Sequence, residues 1–423
     1  MIAKIQGRIS NQEIDAALKK ILAKYPITGT RFELDSDGNC WLIPTDLSKL
    51  PVTILDERNA EQWMQIAEEE QRHIFNYETG PMIRFTLMRS DDKTTLIVTC
   101  HHSIGDGLAI CFLLSDVLHF IAEPDSELGT ISDPTLSAEQ VIPLKSTGNI
   151  LQRMGIWNYN RKWKKSGVSF NFQDYRRLFD EYWRRIKHGN RVAAVDLQRD
   201  ELQMLVQNCK QNQVTVNTAL VTAMLAVQLE QRGDSEINRK VVIPVNLRER
   251  YNVRAEKTFG FFALGNTVEY KHDETLGFWE NARKFQKLVA PKIGDEELNR
   301  SRSPITRLIS PFLVDSLSFA KYGLLNNSIS NSILKKTGLS EKISTLAVTN
   351  LGVVKMPEAY GHLKLDSIYG PCVFSDFTEK IVGVTTVNNK LTITVNYNEQ
   401  TIDSSEVAQF LKTTISYLNC TRR

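Results

Sequence analysis

The chain has 423 residues, 42% of them hydrophobic and 24% charged, with a formal net charge of +3. This is the composition of an ordinary folded protein, too long for one simple core, so two lobes are expected. A balance this near neutral does not indicate nucleic-acid binding, and no stretch reaches the roughly 18 uninterrupted apolar residues of a membrane helix.

The opening "MIAKIQGRISNQEI" lacks the apolar centre of a secretory signal. Cys40, Cys100, Cys111, Cys209, Cys372 and Cys420 are scattered without a C-x-x-C pair, so reduced thiols and a cytosolic compartment are expected.

Ser10 and Glu13 form a capping box ahead of the stripe Ile14, Ala17, Leu18, Ile21 and Leu22, which predicts a helix stopped by Pro26. A second helix is expected near 59–73. Two strand-like runs then flank Ser90-Asp91-Asp92, predicting a hairpin that delivers His101 and His102 at its end. "GLAICFLLSDVLHFIA" predicts a buried helix starting just past Gly107, and the polar, proline-bearing stretch 124–150 a loop.

Between 153 and 191 eleven Lys and Arg face only Asp174, Asp180 and Glu181, with aromatics such as Trp157, Phe179, Tyr182 and Trp183 interleaved. This reads as a basic crossover segment between an N-terminal lobe (1–152) and a C-terminal lobe (192–423). The second lobe restarts with the strand "RVAAVDL", a helix over 200–212, and an apolar helix with Thr215 as N-cap and Gly233 beyond its end. "KVVIPVNL" predicts a buried strand ending in Arg248-Glu249-Arg250. The region 271–345 is read as mostly helical, followed by the strand "STLAVTNLG", a hairpin around Asn388-Asn389, and a closing helix near 403–418. Strands and helices alternate without a glycine-rich phosphate loop, so nucleotide binding of the usual kinds is not supported.

The stretch "LIVTCHHSIGDGLAICFLL" demands a chemical reading. A neutral imidazole is the best side-chain base near neutral pH and supplies roughly 10²–10⁴-fold when set against a hydroxyl or amine. Asp106 can brace the turn or pair with a cation, and Gly107 permits a tight turn or a close approach. The alternative is two half-buried strand-end histidines bonded to backbone. Adjacent strand residues point to opposite faces, so the two are a poor pair of ligands for one metal ion, and no metal is expected. The same alternation predicts that one ring faces a cavity while the other supports the turn.

His101-His102-Ser103-Ile104-Gly105-Asp106-Gly107 reads H-H-x-x-x-D-G and resembles the signature of the acyl-CoA-dependent acyltransferase superfamily. That superfamily includes chloramphenicol acetyltransferase, the plant BAHD enzymes and the condensation domains of nonribosomal peptide synthetases. "TGPMIRFTLMR", "VIPVNLRER", "FGFFALGNT" and "VTNLG" resemble the flanking blocks in the same order. A chain of this length is closest to polyketide-associated and alcohol acyltransferases, with no adjoining carrier or adenylation domain expected. The plant D-F-G-W-G block finds only Asp376-Phe377 here, and Ser375 beside them reads as structural.

The resemblance implies an α/β fold of two chloramphenicol-acetyltransferase-like lobes, with mixed sheets flanked by helices and an active-site tunnel between them. It implies His102 as the catalytic base, His101 and Gly107 as structural members of the motif, and Asp106 paired with an arginine of the other lobe, Arg248 first and Arg250 next. It implies no tightly bound cofactor, an acyl-CoA or phosphopantetheine-linked acyl group as cosubstrate, and a hydroxyl or amine acceptor. An acyl carrier protein docking at 153–191 and a monomeric state are also expected. Two other readings stay open: a non-catalytic binding module on this fold, and a thioester hydrolase.

Overall fold

A computed structural model describes residues 1–132, 150–248, 258–294, 308–339, 342 and 344–419. Most of the expected 124–150 loop, part of the 271–345 region, Arg250 and Cys420 lie outside the described residues.

The first half runs β1 (Ile2–Gln6), α1 (Asn11–Lys24), β2 (Thr30–Leu34), β3 (Cys40–Pro44), β4 (Val52–Asp56), α2 (Gln62–Arg72), β5 (Ile83–Arg89), β6 (Lys93–Cys100) and α3 (Gly107–Ala122). The segment read as a crossover forms α4 (Ile150–Ser166) and α5 (Phe172–Arg185). Then come β7 (Asn190–Leu197), α6 (Arg199–Gln211), α7 (Val216–Arg232), β8 (Lys240–Asn246), β9 (Ala263–Glu269), α8 (Phe278–Lys292), α9 (Pro311–Lys321) and α10 (Ser328–Thr337). The chain closes with β10 (Ser344–Val353), β11 (Ala359–Tyr360), β12 (Leu363–Tyr369), β13 (Thr378–Val387), β14 (Lys390–Asn398) and α11 (Ser404–Asn419).

Local chemistry explains many boundaries. Ser10 and Glu13 close their capping box at the start of α1, and the Thr215 hydroxyl accepts from Thr218 N at the start of α7. Asn388 and Asn389 have φ of 50° and 60°, the left-handed pair that a two-residue hairpin turn requires, so β13 folds straight back into β14.

Two mixed sheets of six strands result, in the orders β11-β12-β1-β6-β5-β4 and β7-β14-β13-β10-β8-β9. In the first, β4 and β5 run parallel; in the second, β10 runs parallel to both β8 and β13. Helices α1 and α3 cover the first sheet and bury Ile14, Leu18, Ile21, Leu113, Leu114 and Val117. The nearly wholly apolar α7 is buried against the second sheet, as a helix without a polar stripe must be. Strands β11 and β12 belong to the second half of the sequence, yet they complete the first sheet, with Tyr369 opposite Ile2. That return brings residues 371–374, just beyond β12, against the end of β6.

Candidate active site

Strand β6 ends at Cys100, and the chain turns through residues 101–106 before α3 begins at Gly107. His101 N donates to Met82 O, which ties the turn to the start of β5, and Ile104 N donates to His101 O within the turn.

The two imidazoles have different surroundings. His101 is half-buried, with ring centroids of Phe32, Tyr77 and Phe75 at 5.0, 5.8 and 6.1 Å, all edge-on. Its Nδ1 lies 2.8 Å from Ser103 Oγ. Burial, with a smaller contribution from His102, pushes the His101 pKa down to about 4, so the ring is neutral at physiological pH. His102 is exposed, and the edge of its ring meets Phe261 at 4.7 Å. Its Nδ1 lies 3.0 Å from Gly105 O. A carbonyl can only accept, so that bond places the proton on Nδ1 and leaves the Nε2 lone pair free.

Both histidines line a cavity of about 400 Å³. Its walls include Ile97, Val98 and Cys100 of β6, Phe75 and Tyr77 beyond α2, Phe179, Tyr182 and Trp183 of α5, and Pro371–Phe374 from the returning segment. The strand residues that line it belong to the first sheet, and residues 371–374 close it from the connection between β12 and β13. Tyr182 O–H, Trp183 Nε1–H and Gln71 Oε1 on these lining residues find no hydrogen-bond partner. The cavity's aromatic wall on α5 carries no motif; its only signal in the sequence is the spacing of Phe179, Tyr182 and Trp183 on one helix face.

Asp106 is buried and accepts four hydrogen bonds. Its Oδ1 takes Ala109 N at 2.9 Å, capping α3, and Arg248 NH2 at 2.8 Å. Its Oδ2 takes Arg248 NH1 at 2.7 Å and Phe262 N at 2.9 Å. Arg248 is only 2% exposed, donates also to Gly260 O, and has its guanidinium 4.8 Å from the Phe262 ring. The pair is bidentate and joins the histidine turn to the end of β8 and the 259–262 segment.

The glycines serve packing between these parts. A Cβ on Gly107 would stand 3.0 Å from Leu351 Cδ2 and 3.2 Å from Pro371 Cγ, so it is a point of close approach between the two halves. A Cβ on Gly105 would meet the Phe259 ring at 2.9 Å. Phe259 is buried in the first lobe's core, although it follows Gly105 by 154 residues in the sequence. Leu351 also lines a second cavity, of about 670 Å³, with Arg199, Lys210, Asn217 and Asn350.

Ser375 Oγ accepts from Phe377 N, closing a local turn. Asp376 accepts from Tyr322 O–H at 3.1 Å and pairs with Lys321 at 3.4 Å. Lys321 Nζ lies 3.8 Å from the Phe377 ring, so Asp376 and Phe377 tie their loop to the end of α9.

Comparison with known proteins agrees with this architecture. Residues 1–127 match the model of the Condensation domain family. Malpinin synthetase of Mortierella alpina is 24% identical over 239 residues, which is 54% of this chain and 3% of that protein. Bacitracin synthase 1 of Bacillus licheniformis is 20% identical over 327 residues, 71% of this chain and 6% of that protein. The chain therefore spans only a few per cent of the length of these relatives. Among solved structures, the epimerization domain from the third module of tyrocidine synthetase B superposes with a TM-score of 0.64 at 12% identity, covering 99% of this chain and 90% of that one. The first condensation domain of the CDA synthetase gives 0.63 at 11%, covering 99% and 88%. Polyketide synthase associated protein 5 from Mycobacterium tuberculosis gives 0.62 at 14%, covering 99% and 92%. Residues 1–127 thus match the condensation-domain family model, and the chain as a whole has the two-lobed fold of condensation domains.

Proposed function

We propose that this chain transfers an acyl group from a thioester donor, acyl-CoA or a carrier-bound phosphopantetheine, to a hydroxyl or amine acceptor, with His102 as general base. The observation that carries the reading is His102 itself: an exposed imidazole on the wall of the cavity, with Nδ1 held by the Gly105 carbonyl and Nε2 free. One relative in fold is named for epimerization, so the fold alone does not choose the reaction and the site must.

Nε2 takes the acceptor's proton as the acceptor oxygen or nitrogen attacks the thioester carbonyl. A carbon–oxygen or carbon–nitrogen bond forms, the carbon–sulfur bond breaks, and the same nitrogen returns the proton to the departing thiolate. No acyl-enzyme is required, because two reactants held side by side react within one complex. The two cavities flanking Gly107 and Leu351 offer donor and acceptor separate approaches. His101, neutral and ringed by Phe32, Phe75 and Tyr77, positions its neighbour. Asp106 and Arg248 position the turn from below and need not touch substrate.

Incubating the protein with thioesters while titrating free thiol, with and without pooled alcohols and amines, tests this reading. Acceptor-dependent thiol release with ester or amide product is expected. Release that ignores the acceptor would make the protein a hydrolase, and none from any donor would leave a binding module.

Helix α5 suits carrier docking. Its inner face carries Phe179, Tyr182 and Trp183 into the cavity wall, while Arg176, Arg177 and Arg184 are exposed on its outer side. Charge reversal at those three arginines is expected to raise the KM for a carrier-bound donor several-fold, leave kcat unchanged, and matter less as salt is added. Arg185 is omitted because it lies 5.2 Å from the Tyr322 ring and holds the helix in place. An unchanged KM would remove α5 as the docking face.

A further inference from the structure

Eleven large apolar side chains are exposed among the described residues, and five of them form one patch. Ile150, Leu151, Met154 and Trp157 are 75%, 79%, 62% and 62% exposed on the first two turns of α4. Leu308 faces the same groove as Ile150, Met154 and Trp157. The spacing explains the patch: positions 150, 154, 157 and 161 fall on one face of a helix, with 151, 158 and 165 beside it.

The helix is firmly anchored. Trp163, on its far side, is buried against Phe312 and Leu313, and Asn160, at the edge of the groove, bonds both Ser310 N and Leu308 O through its side chain. The outward face is therefore presented rigidly, with no described residue covering it. An apolar cluster of this kind on a folded protein marks a contact surface.

The charges on α4 identify the partner. The helix carries Arg153, Arg161, Lys162, Lys164 and Lys165 and no acidic residue, and among the described residues no carboxylate pairs with any of the five. The Arg161 guanidinium lies 5.0 Å from the Trp157 ring, so cation and aromatic share one surface. A second copy docked two-fold through this patch would bring two faces together that are both basic and free of acidic side chains on α4. A surface of anionic headgroups over hydrocarbon satisfies both halves of the face at once: phosphates meet the cations while Ile150, Leu151, Met154 and Trp157 enter the acyl boundary.

We propose that the exposed face of α4 is a peripheral attachment site for an anionic lipid surface. The attachment lies on the bilayer and does not span it, because no helix among the described residues is long and apolar enough to cross a membrane. It is independent of the reaction at His102 and is tested without turnover.

Co-sedimentation of the full chain with phosphatidylglycerol/phosphatidylcholine vesicles and with phosphatidylcholine vesicles alone tests it. Binding to the anionic vesicles is expected, weakened by salt and by K162E/K164E/K165E. Met154→Ser with Trp157→Ser is expected to weaken partitioning by on the order of tenfold or more, with an unchanged circular dichroism spectrum, because two buried apolar side chains are lost from the lipid. Failure of the wild type to sediment, or equal binding by the serine variant, overturns the proposal. A concentration-dependent dimer, or capture of an acidic carrier protein in place of vesicles, that the same serine variant abolishes would equally overturn it.

Discussion

His102→Ala is expected to lower acceptor-dependent thiol release by about 10²- to 10⁴-fold, the range a positioned general base supplies. The melting temperature should stay close to that of the unaltered protein, because the lost ring is exposed and, among the described residues, its contacts are one bond to Gly105 O and an edge contact with Phe261. Substrate binding should survive, so the fall belongs in kcat, with KM little changed. His101→Ala offers the contrast. It removes a ring packed against Phe32, Phe75 and Tyr77 and should cost stability as well as rate. Full activity in a folded His102→Ala protein would end the assignment of the base. Loss of fold in both variants would instead make the pair structural.

Short-range features were legible, but strand alternation does not account for the two imidazoles. The hydrophobic run locates the end of β6 at Cys100, both histidines lie beyond it in the turn, and both line the cavity. The capping box at Ser10, the Thr215 cap and the Asn388-Asn389 turn are short-range signals of the same kind. What brings the site together is long-range. Tyr369 must reach back to Ile2 before residues 371–374 can close the cavity, and Phe259 must cross to the first core before Gly105 has a reason to be glycine. No window of sequence carries those encounters, because they depend on which strands pair rather than on what each strand is made of. Arg248 lies between these cases. A charged residue at a buried strand's end is conspicuous, but a carboxylate 142 residues away becomes its partner only through topology, and family resemblance supplied that link.

The Asp106–Arg248 pair yields the largest expected change in stability. Removing one member of a buried ion pair costs about 3–5 kcal/mol, because the other charge is left in a dry place. Asp106→Ala should lie at the top of that range. It strands a guanidinium whose Nε already lacks a partner, and it removes the cap that Ala109 N uses. Arg248→Ala should cost less, since the carboxylate keeps the Ala109 and Phe262 amides as donors. The double variant should be more stable than the sum of the two single losses, as expected for residues in direct contact. Urea denaturation of all four proteins measures this coupling, and additive losses would show that the two charges do not depend on each other. Activity supplies the second readout. If the pair only holds the turn in place, every folded variant should lose rate through a displaced His102, while the pH dependence of kcat matches that of the unaltered protein. A variant whose pH profile changed shape would instead put the carboxylate in the reaction itself.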